Sequence, residues 1–338
     1  MEGIFRTFAA HKRHIMRRNN VVGVGVGFKI KDGVNTGKKA ICVLVKKKKP
    51  LTELPTAHAI PLTLGDYETD VIEVGELIAL QDRLTKLRPA PPGCSIGHYL
   101  ITAGTLGCLV RDRDTGVRLI LSNNHVLANM TDGMDGRANT GDEVFQPGKY
   151  DNAKPEDVIA RLERWMPIFK DTANPTCMVA TAAERLGNKI IKMVQPNYHM
   201  KLFRASAIEN MVDAALSKPI SDDMVMPEII GIGVPSGVTA AEIGMKVQKS
   251  GRTSGVTKGE VMVIGAILQV MMGDLGYATF HDQIVTSAMA EPGDSGSLVL
   301  DESRKAVGLL GAGSDKATIL SSIQNVLDLL NVDLITGL

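Results

Sequence analysis

Cysteine is sparse in this chain: Cys42, Cys94, Cys108 and Cys177 stand far apart, with no Cys-x-x-Cys pair among 338 residues. That spacing excludes a zinc site built on paired thiolates and leaves little for a disulfide framework. Aromatics are few as well, with one tryptophan, Trp165, against 34 glycines. Such a composition favours strands and tight turns over a long helical bundle. No run of about 18 apolar residues is present to cross a membrane. The basic amino terminus (Lys12, Arg13, Arg17, Arg18) leads into no apolar core, so no signal peptide is read there. A reduced, cytoplasmic protein is the expectation. Charge of one sign is missing too: 38 Lys and Arg offset 37 Asp and Glu, which removes the electrostatic basis for a nucleic-acid partner. The lysine run at residues 46–49 reads as a solvated strand end, with a partner patch as the alternative.

What the chain does have is length and apolar content, 44% hydrophobic, enough for two domains and a sizeable core. Ile4, Phe5, Phe8, Ile15 and Met16 among basic residues predict an amphipathic helix. Val21-Val22-Gly23-Val24-Gly25-Val26-Gly27-Phe28 alternates at the strand period. Glycine at every second position is the wrong spacing for a dinucleotide cradle, and Lys31-Asp32-Gly33 turns into another strand instead of a helix. The glycine face reads as a place where a helix or another backbone comes close. Ala40-Ile41-Cys42-Val43-Leu44-Val45 returns, and Thr69-Asp70-Val71-Ile72-Glu73-Val74 adds a third strand. Residues 1–88 therefore predict a small α/β module without reactive residues, a structural or partner-binding unit. Pro89, Pro91 and Pro92 read as a stiff linker.

From residue 93 the texture changes to short apolar runs between glycine and polar turns, the spacing of a barrel or sandwich. Leu119-Ile120-Leu121-Ser122 runs into Asn123-Asn124-His125-Val126-Leu127, which puts His125 at a strand end. Alone it reads as a structural histidine. Asn174-Pro175 predicts the cap of a helical insertion over residues 173–195, ended by Pro196. That insertion is either one wall of a cleft or surface decoration. Met211-Val212-Asp213-Ala214-Ala215-Leu216 sets one carboxylate inside an apolar strand, where it needs a partner. Lys249 to Gly259 reads as a glycine-rich turn between strands. Ile323, Val326, Leu327 and Leu330 predict a closing helix.

Glu291-Pro292-Gly293-Asp294-Ser295-Gly296-Ser297, followed by Leu298-Val299-Leu300, is a tight turn entering a buried strand. Its glycines let the backbone fold around Ser295, so that the amides of Gly293 and Ser295 can share one pocket as an oxyanion hole. A serine hydroxyl needs a base to become a nucleophile. His125, Asp213 and Ser295 then form a base, its orienting carboxylate and a nucleophile. Nothing in the pattern calls for a cofactor or metal.

That chain order, with Gly-Asp-Ser-Gly, strand-end His-Val and Val-Asp-Ala-Ala-Leu, resembles the trypsin-like serine proteases over about residues 93–335. Leu121-Ser122-Asn123-Asn124-His125-Val126-Leu127, Ser250-Gly251-Arg252-Thr253-Ser254-Gly255 and the valine-glycine module look like a group of bacterial trypsin-like peptidases. The resemblance implies a mainly β, chymotrypsin-like double β-barrel over residues 93–338, preceded by the small α/β module. It implies a serine endopeptidase acting on proteins or peptides, with Met289 at the base of a specificity pocket walled by Gly311, Ala312 and Gly313. No acidic residue stands at that base, so a small or medium apolar side chain is expected before the scissile bond. Secreted relatives pair a cysteine before the histidine with one after it. Cys108 has the first position and no cysteine has the second, which suits a reducing compartment. No zymogen activation site is evident, so Asp294 is expected to pair elsewhere, with a cut near residues 83–88 left open. Rival readings are a catalytically weak scaffold on the same fold and an esterase using the same triad. Homo-oligomers through the edge strands of the module are a further expectation.

Overall fold

The computed structural model describes residues 2–31, 34–55, 58–75, 82–173, 175, 177–205 and 208–337. It divides into two compact units, Met1–Leu80 and Gln81–Leu338. In the first, α1 (Glu2–Met16) precedes β1 (Val21–Lys31), β2 (Val34–Val45), β3 (Thr63–Leu64) and β4 (Tyr67–Glu73). The strands form one sheet in the order β1-β2-β4-β3, antiparallel between β1 and β2 and parallel between β2 and β4. Ile4 and Ile15 lie on one face of α1 and are both 1% exposed; they pack with Val24, Val26, Ile41, Val43 and Val45. Helical spacing on one side and strand alternation on the other thus meet in one core. The glycines of β1 face away from it. A side chain at Gly23 would come within 3.0 Å of Leu44, and one at Gly27 within 2.9 Å of Cys42. Side chains of β2, rather than a helix or another backbone, lie beside Gly23 and Gly27, while Gly25 faces open space. The turn expected at Asp32 and Gly33 falls outside the described residues.

The second unit begins with β5 (Ser95–His98), β6 (Gly104–Thr105), β7 (Cys108–Asp112), β8 (Arg118–Ser122) and a one-turn helix, α2 (Asn124–Leu127). There follow β9 (Glu143–Phe145), β10 (Val158–Trp165), β11 (Thr172–Ala173), α3 (Met178–Val194), β12 (Arg204–Ala205) and β13 (Ala215–Pro219). Next come β14 (Gly237–Val238), β15 (Lys246–Gly251), β16 (Gly255–Met271), β17 (Tyr277–Ser287) and β18 (Leu298–Asp301). The chain ends with β19 (Lys305–Gly313), β20 (Ala317–Ser322), α4 (Ile323–Leu329) and β21 (Val332–Leu334).

Two barrels result. The first runs β7-β8-β13-β10-β9-β5-β6, and β6 continues into β7 across Leu106 and Gly107, so one bent strand closes the ring. The second runs β19-β18-β15-β16-β17-β20 and closes where β20 pairs back with β19. The fold is mainly β, as the spacing of short apolar runs predicts. Strand alternation explains how the barrels meet. In β8, Ile120 points into the first barrel while Leu119 and Leu121 point outward. In β18, Val299 points into the second barrel while Leu298 and Leu300 point outward. The outward sets share one cluster with Leu216, Leu309 and Val326, welding the barrels together.

Two local expectations change. Residues 82–92 are built into the second unit and are not a linker: Ala90 bridges to Val225, and Pro91, Pro92 and Gly93 are buried. The insertion is helical over Met178–Val194, with Cys177 at the N-cap position; Asn174 lies outside the described residues. The helix ends with Gln195 as the C-cap, ahead of Pro196.

Candidate active site

His125 does not sit on β8 itself but in α2, the single turn that follows. Asn124 makes that turn rigid. Its buried amide donates to the carbonyls of Met166 (2.7 Å) and Thr131 (3.0 Å), while its Oδ1 accepts from the Thr131 amide (3.1 Å). Asn123 donates to the Asp213 carbonyl at 2.7 Å. Asp213 stands two residues before β13, not within a strand, so its side chain is free of the sheet's alternation. It finds the partner its burial demands. Oδ1 accepts the His125 amide at 3.2 Å and Oδ2 takes the short hydrogen bond from Nδ1 of the same residue. A carboxylate can only accept, so Nδ1 carries the hydrogen and the neutral ring keeps its lone pair on Nε2. Burial pulls the His125 pKa down, but the charge of Asp213 and its hydrogen bond outweigh this and leave it above the ordinary 6.5.

Ser295 lies on the turn ahead of β18. Gly293 and Gly296 adopt φ of 99° and 92°, a region costly to any residue with a Cβ. At Gly296 a Cβ would fall 2.0 Å from Ser122 Oγ and 2.5 Å from the Thr105 carbonyl, so close approach forbids a side chain as well. Thr105, from the bent strand of the first barrel, clasps this turn. Its hydroxyl donates to the Gly293 carbonyl at 3.0 Å and its amide to the Ser295 carbonyl at 2.8 Å. With those carbonyls held, neither the Gly293 nor the Ser295 amide has a hydrogen-bond acceptor among the described residues. Ser295 Oγ makes a long contact, 3.5 Å, with the Gly311 carbonyl.

Asp294, fully buried, turns away from the cleft. It pairs with Lys249 Nζ at 2.7 Å, and neither side chain is exposed. It also accepts from Ser254 Oγ and from the amides of Thr253 (2.8 Å), Ser254 (3.1 Å) and Glu291 (2.9 Å). Burial pushes its pKa up, yet these donors and the lysine hold it below the ordinary carboxylate value. Within the span expected as a glycine-rich turn between strands, 249–259, Lys249, Thr253 and Ser254 thus cage this carboxylate. Lys249 to Gly251 belong to β15 and Gly255 onward to β16.

His125 and Ser295 line one cleft of about 820 Å³, with Met130, Met272, Ala290, Pro292, Leu310 and Ile319. Gly311, Ala312 and Gly313 also line it. Met289 does not: it is 4% exposed and packs in the core of the second barrel with Val261 and Leu310, while its neighbour Ala290 reaches the cleft. Sequence reasoning passed over Asn123, Asn124, Thr105 and Lys249. Only Lys249 left a signal, as the one charged residue in a buried-strand position beside Ser250-Gly251. All four cysteines are free thiols, and burial raises the Cys94 thiol to about 12. Among the described residues no group of three His, Cys, Asp or Glu is placed to hold a metal ion.

No family model matches the chain, and no curated protein does. Solved structures do. Thermobifida fusca protease A is 17% identical, with a TM-score of 0.45, over 73% of this chain and 98% of that one. A Nocardiopsis protease is 19% identical, with a TM-score of 0.46, over the same shares. A Cellulomonas bogoriensis chymotrypsin is 16% identical, with a TM-score of 0.44, again over 73% and 98%. The fold rests on the strand pairings described above, and the roles of individual residues on their contacts.

Proposed function

We propose that the chain is a serine endopeptidase whose nucleophile is Ser295, with His125 as base and Asp213 as the group that orients it. One observation carries this reading: Asp213 holds His125 at two points on the wall of the cleft that Ser295 shares, beside two unengaged amides. Ser295 Oγ attacks the acyl carbon of the scissile bond while His125 Nε2 takes its proton. The tetrahedral oxyanion forms against the amides of Gly293 and Ser295, each such donor being worth on the order of 3 kcal/mol in comparable sites. The imidazolium, steadied by Asp213, then protonates the leaving amine. Water repeats the sequence on the acyl-enzyme. Leu310, Ile319, Ala290 and Ala312 give the cleft an apolar lining suited to a small or medium apolar side chain. Residues 1–80 form a non-catalytic module that confers partner binding and narrows the choice of protein substrates.

The Ser295–Gly311 contact favours a second reading, because the hydroxyl is directed at a carbonyl and no hydrogen bond to His125 is formed. On that reading the protein is a binding scaffold. Such bonds often tighten only when substrate arrives, so the two readings differ in solution behaviour. The test digests a proteome with the wild type and with Ser295→Ala and sequences the new amino termini, alongside fluorophosphonate labelling. The peptidase reading expects labelling at Ser295 and a loss of about 10³-fold or more in the variant. Equal cleavage by both proteins, or no labelling of folded wild type, overturns it.

A further inference from the structure

The amino-terminal unit ends its sheet on β1, whose outer edge pairs with no strand among the described residues. Edge strands are normally blunted by proline, charge or a bulge. From Val21 to Phe28 this one has no proline and no charge, its first lysine is Lys29, and its register irregularities against β2 fall only near its two ends, between Val21 and Gly23 and between Phe28 and Ile30. Beside that edge runs a groove of about 490 Å³ between α1 and β1. Phe8, Met16 and Val24 supply its apolar surface, and Lys12, Arg13 and Arg17 supply three cations with no carboxylate in the lining. Met16 is 45% exposed and the neighbouring Phe5 48%. None of the three cations makes an ion pair among the described residues; Lys12 lies 5.7 Å over the Phe8 ring.

We propose that this groove binds an extended acidic peptide segment, added as a further strand on β1 with its carboxylates against Lys12, Arg13 and Arg17. Main-chain hydrogen bonds to the free edge supply affinity without regard to sequence, and the side chains turned toward α1 are read. Alternate residues of an added strand face the helix, so the preferred segment places acidic and apolar residues in turn on that face. Charge decides against a second copy of β1 as the occupant. Joining two edges sets one cationic α1 flank beside another, whereas an acidic segment neutralises it. The site is distinct from the cleft of the second unit and does not depend on its chemistry.

The test uses full-length Ser295→Ala protein, so that binding is read whether or not the chain cleaves peptides. The probe is a fluorescent peptide of three Glu-Thr-Val-Thr repeats, followed by anisotropy at low salt. Saturable binding is expected, weakened several-fold at about 0.3 M salt by screening. Lys12→Glu/Arg13→Glu/Arg17→Glu weakens it roughly tenfold or more, since each exposed pair contributes a few-fold. Two changes on the peptide side leave the protein untouched. Lysine in place of glutamate abolishes binding, and proline at two consecutive central positions does so with the charge unchanged. Undiminished binding of the proline peptide would mean charge alone and would overturn the proposal. So would absence of saturable binding to the parent peptide. Self-association by sedimentation that the parent peptide fails to compete away would assign the edge to a second copy instead.

Discussion

Replacing Lys249 by methionine tests how the turn that carries Ser295 is held. The substitution keeps the length of the side chain and removes the cation, leaving Asp294 in a site where neither partner is exposed. Stranding a buried charge by removing its partner costs about 3–5 kcal/mol. Three backbone amides and Ser254 Oγ still reach the carboxylate, so the expected loss is at the lower end, about 3 kcal/mol. With a urea slope of about 2–3 kcal/mol/M for a unit this large, the midpoint falls by roughly 1 M or more. Trp165 belongs to the second unit and reports its unfolding by fluorescence. The sign of the pH dependence follows from Asp294, whose pKa is lowered in the folded chain. Its contribution is present above the ordinary carboxylate value of about 3.9 and is lost as pH falls through the lowered one. The deficit of the variant is therefore full at pH 7 and shrinks below about pH 4, where the stranded carboxylate takes a proton. Fluorophosphonate labelling of Ser295 slows in parallel, because the turn loses its anchor. Lys249→Met/Asp294→Asn recovers stability but not the labelling rate. A midpoint unchanged within error at pH 7, or a deficit equal at pH 3.5 and pH 7, refutes the argument.

Asp213→Asn removes the charge that raises the His125 pKa and leaves the burial that lowers it. The acid limb of the kcat/KM profile, above 6.5 in the wild type, moves below 6.5 while turnover drops by about 10⁴. Charged His125 contributes stability that is complete below 6.5 and fades as pH rises through its raised value, so thermal melts of the wild type show a decline there that Asp213→Asn lacks. Gly296→Ala drives a methyl into Ser122 and Thr105 at a positive φ; labelling is lost and urea melts show a cost of at least about 2 kcal/mol. Ile15→Ala opens the core of the first unit and costs about 2–5 kcal/mol, seen as lost amide protection in β1 and β2, with kcat against a short peptide unchanged.

Alternation and glycine placement are enough to read β1, β2, β8 and β18, because strands buried on one or both faces announce themselves by period. The serine turn was equally legible, its two positive-φ positions being glycines. What the sequence hid was long-range. Nothing near Thr105 says that its hydroxyl reaches Gly293, 188 positions away, and Asn123 resembles any polar cap until its amide is seen on the Asp213 carbonyl. Asp213 was expected within a strand because its neighbours are apolar. They are apolar because Val212, Ala214 and Leu216 pack in the cluster between barrels, whatever the backbone hydrogen bonding. The prolines of residues 89–92 misled for a related reason: a proline needs no amide partner, so it suits a buried barrel entry as well as an exposed linker.

The bond from the Thr105 amide to the Ser295 carbonyl has a consequence for biogenesis. Thr105 leaves the ribosome almost two hundred residues ahead of Ser295, and the turn it shapes stays slack until the late half has wrapped onto the early one. A nascent or clipped chain holding either half alone therefore carries the Ser295 turn, or the Thr105 strand, without the contact that joins them.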